Sequence, residues 1–428
     1  MLSFTISKPL LRANHLCRFA SSFRDLGVSD NIMKRLNEKK YRFPTPVQKA
    51  VIPMLLEGEK DVVINSESAS GKTLAYLLPL VQAKQQNSRN YSIIMTPRPE
   101  LSIQMNTIIR RLDPDVTLEN SNSYFFTKYI HNETPNFLIS TPAMFLTQYL
   151  KYYNSRRFLE NSYITPKYFV IDEVDCVLNQ EYGENMKTVL KLLHKTSPNT
   201  QFIYSGATIP TNGASTPGGF LTQAFPSLKW YQSSSVNTIP GHVTVDFMNF
   251  DVTKCGEEEK KLKLLELIVQ NHSQPPVVFF NNTDTLARIY TYLLSQRINC
   301  AYISRDITIS NRVNLVHLLQ KNKFDCLLST DILSRGIDTP LLTTEIQYEF
   351  SNDVSSFINR CGRVGRSSQA SHVYCFVDYN HQKLSSSIQE IGVHNNLSSL
   401  YSHNRMLARK LKKESSYPYN SYDDQMSK

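Results

Sequence analysis

Three carboxylates stand within four residues at Asp172-Glu173-Val174-Asp175, directly after the apolar run Tyr168-Phe169-Val170-Ile171. The run reads as a buried strand, and charges of one sign crowded at its end repel unless something cationic relieves them. A second apolar strand candidate, Asp61-Val62-Val63-Ile64-Asn65, runs into Ser66-Glu67-Ser68-Ala69-Ser70-Gly71-Lys72-Thr73. A small-residue loop ending in Gly-Lys-Thr and opening onto the helical pattern Leu74-Ala75-Tyr76-Leu77-Leu78 is a phosphate cradle, because the N–H groups of a helix amino terminus face the anion. In such a cradle Lys72 meets the β- and γ-phosphates, the Thr73 hydroxyl ligates magnesium, and Asp172 holds the same metal directly or through water. Glu173 is placed to orient or deprotonate the attacking water. Phosphate loop and acidic strand end together imply a magnesium–nucleotide site.

The other charged constellation is Asn359-Arg360-Cys361-Gly362-Arg363-Val364-Gly365-Arg366. Arginines at three-residue spacing in a small-residue segment can reach a γ-phosphate and neutralise charge that develops in the transition state. A basic surface helix or a patch for an RNA backbone is the plainer reading. Gly362 and Gly365 count against an ordinary exposed helix, where each costs about 1 kcal/mol.

Elements must position these groups. In the first half the strand candidates Ser92-Ile93-Ile94-Met95, Phe137-Leu138-Ile139-Ser140, Phe169-Val170-Ile171 and Gln201-Phe202-Ile203-Tyr204 alternate with helical stretches. Asp30 reads as the cap of a helix over Met33, Leu36 and Lys40 that Pro44 and Pro46 end, and Met186 to His194 as a helix with Val189, Leu190 and Leu193 on one side. Residues 211–219 carry loop chemistry. The second half repeats the alternation: helices over Glu257–Val269, Leu286–Leu294 and Val313–Gln320, strands at Val277–Phe280, Cys300–Ile303, Cys326–Ser329 and Val373–Val377. Such alternation gives parallel sheets covered on both faces. Only the first half carries a phosphate loop.

The 428 residues suffice for two ordinary domains, and 41% apolar against 20% charged residues suits a globular body. Net charge is +10, which beside a nucleotide site favours nucleic acid as partner. Seven scattered cysteines form no Cys-x-x-Cys pair, so no zinc knuckle is indicated, and no apolar run approaches the ~18 residues that span a bilayer. Before Asp25 there is no acid, yet Lys8, Arg12 and Arg18 stand among Ser3, Thr5, Ser7, Ser21 and Ser22. That composition describes a mitochondrial presequence, with a merely frayed basic terminus as the alternative.

With these pieces in order, the chain resembles the DEAD-box ATP-dependent RNA helicases over roughly Phe23 to Val377. Tyr41-Arg42-Phe43-Pro44-Thr45-Pro46-Val47-Gln48 is similar to that family's adenine-reading motif, and Asp172-Glu173-Val174-Asp175 to its acidic box. The resemblance implies that Phe23 stacks on the base and that Gln48 bonds the adenine edge. It implies a phosphate-binding run Ser66, Glu67, Ser68, Ala69, Ser70, Gly71, Lys72 and Thr73, and Gly336 and Asp338 beside the ribose, within Ser329-Thr330-Asp331-Ile332-Leu333-Ser334-Arg335-Gly336-Ile337-Asp338. Arg363 and Arg366 match the arginine fingers, and with Lys72, Asp172 and Glu173 they complete the implied catalytic set. RNA would be held by Arg98, Thr141, Pro142, Asn281, Arg312, Thr330 and Arg335.

Departures from the family pattern are equally legible. Ala69 replaces a glycine, tolerable only at negative φ. Pro97-Arg98-Pro99-Glu100-Leu101 is altered, so the RNA-contacting arginine is in doubt; Gly206-Ala207-Thr208 lacks a coupling hydroxyl, and Asn359 replaces a histidine. The expectation is therefore two RecA-like α/β domains, each a mostly parallel sheet with helices on both faces, joined by a flexible linker. The expected boundaries are presequence 1–22, first domain 23–232, linker 233–243, second domain 244–385, and a basic, partly disordered tail 386–428. The cofactors are ATP and Mg2+. The expected protein is a monomeric mitochondrial-matrix helicase that contacts RNA backbone with little sequence specificity, acting on ribosomal RNA, mitoribosomal precursors or other organellar RNA. An ATP-gated RNA clamp with weak unwinding is the rival from another class, and a DNA translocase a third reading.

Overall fold

The computed structural model describes residues 22–59, 61–87, 90–120, 135–153, 165–179, 182–211, 213, 216–250, 254–304, 307–334, 342–365 and 369–401. The presequence reading, Arg335, Gly336, Asp338, Arg366 and the charged tail beyond Tyr401 lie outside the described residues.

The first sheet comprises β1 (Asp61–Asn65), β2 (Ser92–Met95), β3 (Leu118–Asn120), β4 (Phe137–Ser140), β5 (Tyr168–Ile171), β6 (Gln201–Gly206) and β7 (Lys229–Gln232). Its spatial order is β3-β4-β2-β5-β6-β1-β7 and each pairing is parallel. Alternation within each strand splits the core into two layers. Val62, Ile64, Ile94 and Val170 pack under the helices Asp30–Glu38, Pro46–Leu56, Lys72–Gln86 and Pro99–Leu112. Val63, Ile93, Phe169 and Ile171 pack under Gly183–Thr196 and its neighbours on the other face.

The second sheet comprises β8 (Val243–Asn249), β9 (Val277–Phe279), β10 (Cys300–Ile303), β11 (Cys326–Ser329), β12 (Thr344–Gln347) and β13 (Ser371–Val377), in the order β10-β11-β9-β12-β13-β8, again all parallel. Val277, Phe279, Val373 and Cys375 build one layer with the helices Ile309–Gln320, Val354–Cys361 and Gln382–Ile391. Val278, Phe280, Leu328 and Phe376 build the other with Lys254–Gln270 and Thr283–Ser295.

Several expectations need correction. Asp30 is the first helical residue and Ser29 the cap. The loop at 211–219 ends earlier than read: Thr216 caps a helix Pro217–Ala224 by accepting from Gly219 N, with Pro217 at a first-turn position that needs no donor. Residues 386–401 are not a loose tail. The helix Gln382–Ile391 and the turn Leu397–Ser399 bury Ile388, Leu397 and Leu400 against the second sheet. Nor is the segment between β7 and β8 a free tether: Ser233 N donates to Asn65 O, Leu397 N to Asn237 O and Ile239 N to Val393 O. Among the described residues no helix is long and apolar enough to cross a membrane.

Candidate nucleotide site and the interface between lobes

Strands β1, β6 and β5 lie side by side, so their carboxyl ends bring together loop 66–71, Gly206 and the acidic run. Open parallel sheets place ligands at such ends. Gly71 turns the loop into its helix at φ +95°, and a side chain there would meet Gln48 Nε2 at 2.5 Å. Gln48 is 3% exposed; its Nε2 donates to Gly71 O (3.1 Å) and its Oε1 accepts from Thr45 N (2.9 Å). The amide thus fastens the end of the phosphate loop to the start of the helix Pro46–Leu56.

Lys72 Nζ donates to Ser66 O (2.6 Å) and Glu67 O (2.7 Å). Burial pushes its ammonium down to about 8, against the opposing pull of Asp172, Glu67, Asp175 and Glu173. One ammonium faces four carboxylates, a balance that calls for more positive charge. Burial also raises Asp172, against hydrogen bonds from Ser205 and Tyr76 and the charge of Lys72. Tyr76 OH donates to Asp172 Oδ2 (3.0 Å) and also bonds Thr73. Carboxylate and hydroxyl oxygens converging on an electron-rich pocket suit Mg2+. Among the described residues no group of three or more His, Cys, Asp or Glu could hold a metal ion.

Two residues here sit in the left-handed region without being glycine. Ala69 has φ +61°, contrary to the negative φ its methyl group would prefer. Glu173 has φ 49° and ψ 50° at the start of the short helix Val174–Val177. Such backbone costs about 1–3 kcal/mol and collects at functional sites.

Asp175 Oδ2 accepts from Thr208 Oγ1 (2.9 Å), and Thr208 Oγ1 lies 2.8 Å from Ser355 Oγ at the start of the helix Val354–Cys361. Thr208 has one proton and the carboxylate takes it, so Ser355 is the donor across the lobes. At the other end of that helix, a Cβ on Gly362 would lie 3.5 Å from Ser68. The arginine-bearing segment therefore abuts the phosphate loop. A cavity of about 350 Å3 opens between residues 67–70, the linker and residues 358–365.

The arginines divide by role. Arg360 is fully buried; it donates to Asp331 Oδ1 (2.7 Å), Glu349 O (2.8 Å) and Asn281 Oδ1 (2.7 Å), holding the second lobe together. Arg363 is 4% exposed with Nε donating to Asn359 O (3.3 Å). It is the residue after Gly362, where a Cβ would contact Ser68.

Five sequence expectations change. The Gln48 amide, expected on the adenine edge, is buried and committed to Gly71 O and Thr45 N. Phe23 is 1% exposed inside the first-lobe core, so it offers no face to a base; Tyr41 (49%) and Phe43 (76%) are the exposed rings ahead of Gln48. Arg98 donates across the lobes to Ile332 O (2.9 Å) and Asp331 O (3.4 Å) rather than standing ready for phosphate. Arg312 is buried in an ion pair with Glu100 of the first lobe. The Asn281 amide is committed to Phe350 O and Arg360. Thr141 and Pro142 do open a helix, Pro142–Tyr153, and Thr330 follows β11 at the second lobe's strand end. Tyr76 and Ser355 were missed. Tyr76 was readable, since it stands one helical turn after Lys72 on the same face.

Comparison with known proteins agrees with this architecture. Residues 45–216 match the model of the DEAD/DEAH box helicase family, and residues 259–368 the helicase conserved C-terminal domain. The chain is 26% identical over 360 residues to the ATP-dependent rRNA helicase RRP3 of Yarrowia lipolytica, covering 82% of this chain and 70% of that protein. It is 26% identical over 367 residues to the ATP-dependent RNA helicase DBP8 of Saccharomyces cerevisiae, covering 83% of each. In fold it is similar to S. cerevisiae Dbp5 bound to RNA and ADP BeF3, with a TM-score of 0.70 at 21% identity over 92% of this chain and 100% of that one.

Proposed function

Because the chain belongs to the DEAD-box RNA helicase family, whose members hydrolyse ATP, we propose that this protein remodels structured RNA in mitochondria, in ribosome assembly or organellar RNA processing. The observation that carries the catalytic reading is the approach of Gly362 to Ser68, which sets the arginine segment against the phosphate loop. Bound ATP would supply the phosphoryl group, and its Mg2+ the positive charge facing the carboxylates. Lys72 would exchange its two loop carbonyls for phosphate oxygens. Asp172 and Thr73 would hold the ion, and Glu173 would take the proton of the attacking water. Arg363 and Arg366 would face the γ-phosphate from the second lobe. Gln48 keeps the loop in register. RNA would meet backbone-facing groups such as the helix start at Thr141-Pro142 and the strand end at Thr330, which favours little sequence specificity and strong salt dependence.

The clamp reading draws support from Arg98 and Arg312, whose guanidinium groups join the lobes. The test is RNA-stimulated ATP turnover of the full chain beside Glu173→Gln. Turnover with duplex release, abolished in the variant while ATP still binds, supports the helicase. ATP-dependent RNA retention with negligible turnover supports the clamp, and parental turnover in Glu173→Gln removes that residue from its role. The mitochondrial address rests on the acid-free stretch before Asp25. A fluorescent fusion of residues 1–25 should enter mitochondria, and a diffuse cytosolic signal would count against it.

A further inference from the structure

The loop that carries the arginines turns sharply at Gly365, which has φ +69°. Its N–H donates to Leu342 O (3.3 Å). Its carbonyl lies 2.7 Å from His242 Nε2, and a carbonyl only accepts, so that nitrogen is the N–H. A side chain at Gly365 would meet His242 Nε2 at 2.9 Å and Val243 Cγ2 at 2.7 Å, so loop and histidine are closely fitted. His242 is the last residue before β8, and its own carbonyl accepts from Ser371 N (3.1 Å), where the loop returns as β13. The linker behind it is fixed from both sides. Ser233 N holds the end of β1 at Asn65 O. On the far side the segment Val393–Tyr401 clasps it: Ile239 N donates to Val393 O (3.2 Å), Leu397 N to Asn237 O (3.0 Å) and Tyr401 OH to Asn237 Oδ1 (2.7 Å).

We propose that the linker is a positioning element for the arginine-bearing loop, acting through the hydrogen bond from His242 to Gly365 and held in shape by the clasp of residues 393–401. The inference rests on the reading above, in which that loop presents guanidinium groups to the γ-phosphate. His242 acts here as a positioning residue, bonded to the carbonyl of the turn at Gly365. Misplacing a charge-stabilising group by about an ångström costs on the order of a hundredfold in rate.

The experiment is steady-state ATP hydrolysis by the full chain with a saturating RNA oligonucleotide, beside hydrogen–deuterium exchange of the peptide spanning residues 362–371. His242→Phe keeps a ring and removes the donor. It should lower kcat about tenfold to a hundredfold with the ATP KM within about threefold, and raise exchange at 362–371. His242→Gln restores an N–H at similar reach and should recover kcat to within about threefold. Tyr401→Phe loosens the clasp alone and should lower kcat about threefold. Wild-type kcat in His242→Phe overturns the proposal, as does a loss in His242→Gln equal to that in His242→Phe. Lys72→Ala separates the two levels: if it abolishes turnover while His242→Phe does not, the nucleotide site stands and only the positioning role falls.

Discussion

Replacing Glu345 by glutamine should flatten the pH dependence of second-lobe stability. Glu345 is fully buried in β12, an interior strand between β9 and β13. Its Oε1 accepts from Gln347 Nε2 (3.0 Å), and Gln347 in turn accepts from Ser351 Oγ (2.7 Å) and reaches Cys361 Sγ. Burial pushes the carboxyl up to about 8 from an ordinary 4.5, with the bond from Gln347 and the charges of Arg360 and Arg363 opposing. The folded state therefore holds a proton that the unfolded chain releases. Stability is fullest below the unfolded value and falls as pH rises, until the folded group ionises near 8. At about 1.4 kcal/mol per pH unit, the interval from pH 5 to 8 removes on the order of 4 kcal/mol. An amide is neutral throughout. In urea unfolding followed by exchange at second-lobe peptides, Glu345→Gln should therefore gain about 4 kcal/mol relative to the parent between pH 5 and 8. A constant offset between the two proteins reflects only the altered packing of the amide. Parallel pH curves would refute an acid protonated in the folded lobe.

Three further outcomes follow from packing and charge. Gly206→Ser should destabilise the first lobe by about 1–3 kcal/mol, because a Cβ there meets Ile209 Cγ1 at 2.7 Å and Asp175 Oδ1 at 2.9 Å; in an Ile209→Ala background, where Cγ1 is gone, the same change should cost less than half as much in a thermal melt. Reversing either charge of the Glu100–Arg312 pair should lower the closed fraction, read by fluorescence transfer between lobe labels, tenfold or more, and the double reversal should restore most of it. Ala69→Gly should stabilise the first lobe by about 1 kcal/mol in the same melt, since it relieves a methyl group held at φ +61°.

What could be read before folding was what is contiguous. Six strands, Asp61–Asn65, Ser92–Met95, Phe137–Ser140, Tyr168–Ile171, Cys300–Ile303 and Cys326–Ser329, coincide residue for residue with expectation because each is a short, mostly apolar run in a sheet covered on both faces. Strand β12 was missed because Thr344-Glu345-Ile346-Gln347 shows no such run; Glu345 and Gln347 satisfy one another beneath the helix Val354–Cys361. Strand β8, directly after the linker, alternates polar and apolar residues and was missed for the same reason. The phosphate loop and acidic run were legible for the same reason of contiguity. The duties of Phe23, Arg98 and Arg312 were not, because they are decided by partners distant in the chain. A phenylalanine goes wherever the core has room, and an arginine to whichever carboxylate or carbonyl closure brings near.

The departures read as loss of coupling take a different meaning once those partners are known. Gly206 lacks a hydroxyl, and a Cβ there would press on Ile209 Cγ1 (2.7 Å) and Asp175 Oδ1 (2.9 Å). Two residues on, Thr208 joins Asp175 of the acidic run to Ser355 of the second lobe. Ser355 opens the helix whose far end, at Gly362, faces the phosphate loop. Three side chains, Asp175, Thr208 and Ser355, thus form a contiguous hydrogen-bonded line across the interlobe seam from the acidic run to the helix that leads to the arginine segment. Arg98 and Arg312 close the same seam near the strand end that carries Asp331 and Thr330. Closure is thus secured at both the nucleotide side and the second-lobe strand end by groups other than those first expected there. In this structure the hydrogen-bonded contact from the acidic run to the second lobe passes through position 208.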